Sequence, residues 1–123
     1  MKKILLGLLV LSSLTFAKKD GIISKIEKTL EAKHAYITDG KNKIEVDDID
    51  LALLNNKPFV IIEVETLFGE GGWKNFNQIE INNFVNTIAN DVRTSLNTDE
   101  KVNVSIILDP KIGDKKLLLE GNY

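Results

Sequence analysis

The chain has 123 residues, of which 43% are hydrophobic, 28% charged and 7% aromatic, with a formal net charge of −2. It contains no cysteine and a single histidine, His34, which excludes thiol catalysis, iron–sulfur clusters, the usual structural zinc sites and any two-histidine metal site within one chain. Mild acidity with both signs interspersed argues against a nucleic-acid partner, because phosphate binding needs a clustered basic surface.

The first 17 residues read as a secretory signal peptide. Lys2 and Lys3 give a cationic start, residues 4–16 are uncharged, and Thr15-Phe16-Ala17 places small residues at the −3 and −1 positions of a cleavage site. The uncharged run is shorter than the roughly 20 residues a membrane-spanning helix needs. Cleavage after Ala17 is therefore expected, giving a periplasmic or secreted product of 106 residues with a formal charge of −4 and no membrane span. A lipid anchor would need a cysteine after the cleavage point. By the length prior, residues 18–123 form one small domain.

Within residues 20–33, Ile22, Ile23, Ile26 and Leu30 recur at helical spacing and predict a short amphipathic helix. Residues 34–38 and 43–46 flank Asp39-Gly40-Lys41-Asn42 and predict a β-hairpin. Asp47 or Asp48 can then cap a brief helix carrying Ile49, Leu51, Leu53 and Leu54, which Asn55-Asn56 ends and Pro58 stops. Residues 59–67 are the strongest strand, apolar on both faces in the first half, as a central strand requires.

A glycine-rich loop, Phe68-Gly69-Glu70-Gly71-Gly72-Trp73-Lys74-Asn75, follows. Asn77 stands three residues before Glu80, resembling a capping box, at the start of a long helix whose apolar stripe is Ile81, Phe84, Val85, Ile88, Ala89, Val92 and Leu96. Alternating Val102, Val104, Ile106 and Leu108 mark the next strand, residues 109–114 a turn, and Leu117 and Leu119 a closing strand. The expected architecture is a two-layer α+β domain. One long amphipathic helix packs across a mostly antiparallel sheet of about five strands, with a short helix at the N-terminal end.

The loop between a strong strand and a helix start is the first candidate site. Glycines with free amides near a helix N-terminus suit an anion, but the P-loop requirement for Lys and Ser or Thr after the last glycine is unmet, and Glu70 opposes phosphate. The binding candidates are Trp73 with Phe68, Gly69, Gly71 and Gly72, Trp73 serving as an exposed contact for a protein or sugar. The plainer alternative folds Trp73 back on the core edge.

Asp47, Asp48 and Asp50, with Glu45 and Asp39 nearby, form the densest acidic cluster, but the glycine and final glutamate of a calcium loop are missing, so helix capping is the expected role. Glu63 and Glu65 project from one strand face at roughly 6–7 Å, a separation that glycosidases use; but a domain this small has little room for a sugar cleft, and a solvated strand face is the expected reading. His34 is expected at the hairpin's mouth, partly exposed. The functional expectation is a small exported, non-enzymatic domain that binds a protein or cell-wall component, with no cofactor and no metal. The alternative is a small hydrolase or lyase of envelope polysaccharide acting through Glu63 and Glu65.

Overall fold

The computed structural model describes residues 21–66, 69–110 and 113–123; the signal-peptide reading and Phe68 lie outside them. The elements in chain order are α1 (Gly21–Lys33), β1 (Tyr36–Thr38), β2 (Lys43–Leu54), β3 (Lys57–Thr66), α2 (Glu70–Lys74), α3 (Gln78–Leu96), β4 (Asn103–Leu108) and β5 (Lys116–Asn122). The five strands form one sheet in the order β1-β2-β3-β4-β5. Three neighbouring pairs are antiparallel, and β3–β4 is parallel, with Val60 beside Val104 and Ile62 beside Ile106. The expected α+β architecture is the observed one.

The expectation of a helix at residues 47–56 is corrected: residues 48–54 continue β2 as a strand paired with β3, and Asn55-Asn56 form the turn between them. An extra residue at Asp47 breaks the register between Val46 and Asp48. Such a bulge shifts the side-chain alternation by one, so even-numbered Ile44 and Val46 share the core face with odd-numbered Ile49 and Leu51. Asn55 and Asn56 both take positive φ, 52° and 64°, as a two-residue type I′ hairpin demands. Pro58 is accordingly buried as the second residue of β3, opposite Leu53, and terminates nothing.

Helix α3 begins where its cap places it: the Asn77 side chain accepts a hydrogen bond from the Ile79 amide at 2.9 Å. It ends at Asn97, whose left-handed backbone (φ 53°) receives the last turn. Its stripe Ile81, Phe84, Val85, Ile88, Ala89 and Val92 is buried in one cluster with Val60, Ile62, Val64, Val104 and Ile106. From α1, Ile23, Ile26 and Leu30 join the same cluster, while Ile22 is 67% exposed and stands apart from it. Both long helices therefore cover one face of the sheet. A second, smaller cluster of Ala52, Ile61 and Ile107, flanked by Phe59 and Leu117, lies on the other.

A second bulge separates Leu117 from Leu119. Ile106 pairs with Leu119 and Ile107 with Leu117, leaving Leu118 as the extra residue. Leu119 then packs against the main core and Leu117 against the smaller cluster.

Candidate functional site

Because β3 and β4 run parallel, their C-terminal ends, Thr66 and Leu108, finish on the same side of the sheet. In sheets with parallel strands, that is the side on which connecting loops leave a crevice. The start of the antiparallel β2 lies there too, with Ile44 opposite Thr66. Three connections thus converge: the β1–β2 turn, the glycine loop after β3, and the segment after β4. They enclose a cleft of about 620 Å³.

Each wall is held by its own chemistry. In the β1–β2 turn the Asp39 carboxylate accepts from the Lys41 and Asn42 amides at 2.9 and 2.7 Å, and from the Asn77 amide at 3.2 Å. These backbone hydrogen bonds hold Asp39 below the usual carboxylate range and tie the turn to the start of α3. In the glycine loop, Gly69 adopts φ 58° as it enters α2, a conformation that favours glycine. The Thr66 hydroxyl donates to the Gly69 carbonyl. Behind β4, the Asp109 amide donates to the Val64 carbonyl at 3.0 Å. Buried Ile44, Phe76 and Leu108 supply apolar lining, and Lys41, Lys43, Glu45, Glu65 and Asp109 supply charges of both signs.

Of the binding residues expected from sequence, Gly69 and Gly72 line this cleft. Gly71 is exposed within α2. For Trp73 the exposed-contact reading is corrected and its plainer alternative holds: α2, a helical turn inside what reads as a loop, rotates the indole into the main core, where it is 8% exposed. It is a packing residue, and the side chain exposed on α2 is instead Lys74. Glu70 forms an ion pair with Lys116 of β5, which lowers its carboxyl below the ordinary value.

Glu63 and Glu65 share the face of the sheet opposite the helices, but their surroundings differ. Glu63 is bound by Lys115 at 2.6 Å and does not line the cleft, whereas Glu65 does. The acidic residues expected as helix caps belong to this face as well. Carboxylate oxygens of Glu45, Asp47 and Glu65 lie within 4.8 Å of one another, on side chains that are exposed or half-buried. Burial, then the charges of Glu65, Asp109, Glu45 and Glu63, push Asp47 above its usual range. Crowded anions of this kind repel one another.

His34 lies deeper than its sequence context implies. Its ring is 10% exposed, sits edge-on to Phe84 at 5.7 Å, and pairs with Asp91 through Nε2 at 2.8 Å. Lys33 reaches the same carboxylate at 3.0 Å, so this group of residues joins the end of α1 to α3. Among the described residues no helix is long and apolar enough to cross a membrane. No family model, curated protein or solved structure matches the chain.

The cleft could be found in the sequence only in fragments. The glycines after a strong strand mark one wall, but nothing local reveals that the Asp39–Asn42 turn and Asp109 meet them. That meeting depends on β3 and β4 being parallel.

Proposed function

We propose that this protein is an exported, non-enzymatic domain that binds a protein or a cell-wall component through the cleft at the ends of β3 and β4. The observation that carries the reading is the cleft itself, which is lined by apolar Ile44, Phe76 and Leu108, by Lys41 and Lys43, by Glu45, Glu65 and Asp109, and by Gly69 and Gly72. That layout suits a ligand that buries an apolar group and offers charges of both signs. Export rests on the N-terminal layout of residues 1–17.

The polysaccharide hydrolase is the weaker alternative. Such chemistry needs two carboxyls facing one substrate, one of them keeping its proton near neutral pH. Glu63 is turned to Lys115 and away from the cleft that Glu65 lines.

The test is a pull-down from the native envelope with mature protein and with a Lys41→Glu/Lys43→Glu variant. A specific species captured by the first and lost with the second supports the reading. Equal recovery by both refutes the cleft as the contact. Mature protein from the source cell should begin at Lys18, and an intact Met1 in a cytosolic fraction would refute export.

A further inference from the structure

Strand β1 pairs only with residues 43–45 of β2, so the rest of that β2 edge needs another cover. Helix α1 supplies it with side chains. The Glu27 carboxylate accepts the Leu51 amide at 2.8 Å, and Glu31 accepts the Ile49 amide at 3.4 Å. The fit is geometric: four residues of helix advance about 6 Å and two residues of strand about 6.8 Å, so carboxylates at i and i+4 meet alternate edge amides. Glu27 is 8% exposed, and this seam also shields an edge that would otherwise be open to strand pairing.

Beside the seam stands a third and a fourth carboxyl. Asp48 lies within hydrogen-bonding reach of both Asp50, two residues along β2, and Glu31, from α1. Across the ladder its register partner is Glu63. The cation facing this group is Lys115, ahead of β5, which is already bound to Glu63 and also feels Asp48. Three carboxyls from two elements thus meet where one of them also holds an edge amide.

We propose that this seam is a proton-operated latch: a proton on Asp48, beside Asp50 and Glu31, keeps the end of α1 seated on β2, and its loss drives the carboxylates apart and releases the edge amides. With the proton present, Asp48 can donate to either neighbour and the group carries one charge fewer. Without it, Asp48 and Asp50 are both anions beside Glu31, the residue that grips the Ile49 amide. Burial, followed by the Asp50 and Glu31 contacts, pushes the Asp48 carboxyl up to about 7, which sets the working range at neutral pH. Acidification from pH 8 to pH 6 therefore tightens the latch, the reverse of ordinary acid loosening.

The experiment is amide hydrogen exchange by NMR on the purified protein between pH 5.5 and 8, each rate normalised for its intrinsic pH dependence. Protection at Ile49 and Leu51 should fall about tenfold across this range, the scale of one pH unit of differential proton binding. Val104 and Ile62, inside the sheet, should hold constant as controls. In Asp48→Asn, protection at Ile49 and Leu51 should stay flat at the low-pH level. Flat wild-type protection, or an unchanged slope in the variant, overturns the proposal. The Asp48 side-chain carboxyl carbon gives a second reading in the wild type that needs no variant. Its titration midpoint should coincide with the loss of protection, and a midpoint below about pH 5 overturns the latch.

Discussion

Phe84→Ala probes the packing on which the whole two-layer arrangement depends. Phe84 is 8% exposed and sits in the cluster that joins α3 to β3 and β4. Its ring also meets the edge of the His34 imidazole at 86°. Removing a buried phenyl group costs about 3–5 kcal/mol through lost transfer energy and the cavity left behind. The ring contact contributes about 0.5–1.5 kcal/mol beyond area burial, so the upper half of the range is expected. A domain of this size has roughly 5–15 kcal/mol in total, and the variant should remain folded in water but marginally. In urea, with an m-value of about 2 kcal/mol/M, the midpoint should fall by about 2 M. Phe84→Leu keeps most of the volume and loses only the ring contact, and should cost less than half as much. A loss below about 1 kcal/mol for the alanine variant, the scale of a surface change, would show that the stripe does not hold the layers together.

Trp73→Ala should destabilise by about 3–5 kcal/mol, and the wild-type indole should fluoresce at short wavelength and resist acrylamide; stability within about 0.5 kcal/mol of wild type would place the ring outside the core. Asn56→Gly should stabilise by up to about 1 kcal/mol, because glycine takes positive φ without a Cβ clash, whereas Asn56→Val should destabilise in thermal melts; the reverse order would contradict the type I′ turn. Asp91 is disfavoured by burial, yet hydrogen bonds from His34 and Lys33 hold its carboxyl below the ordinary value. A carboxyl lowered in this way contributes stability above about pH 4 that is lost as pH falls through its folded value. Asp91→Asn should therefore cost about 1 kcal/mol at pH 6, after allowance for solvent screening, and progressively less as the pH falls below about 4, while a cost independent of pH would refute the ion-pair role.

The elements legible in the sequence were those whose periodicity is undisturbed. The stripe from Ile81 to Val92 and the run from Phe59 to Val64 each follow one repeat from end to end, and each forms the element that repeat implies. Strand β2 escaped because of Asp47. Ile44, Val46, Ile49 and Leu51 step by two, three and two, and the single step of three imitates a helix turn, although it records a bulge. The acidic residues around it then resemble caps. Leu117 and Leu119 mark the closing strand, but that they face opposite sides is hidden until β4 lies beside it and exposes the extra residue at Leu118. Glycine spacing located part of the cleft, yet it could not show that Glu70–Lys74 coils into a helical turn and carries Trp73 inward. The carboxylates of Glu27 and Glu31 carry no signal of their role in the sequence. Their spacing was visible, but its match to alternate β2 amides appears only once helix and strand lie side by side.

The single parallel junction has a consequence for the order of assembly. Strands β1, β2 and β3 are joined by short turns and can meet while only residues 36–66 are collapsed. Pairing Val60 with Val104 must wait until the intervening α2 and α3 have been laid across the sheet. Non-local closure of this kind is slow relative to hairpin formation, because the entropy of the loop is lost before its contacts form. Mutations in the N-terminal meander should then change the folding rate differently from those in β4, whose contacts belong to the late side of the barrier. Until β4 arrives, the apolar edge of β3 stands unpaired, and that interval is when this chain is most exposed to pairing with another copy of itself.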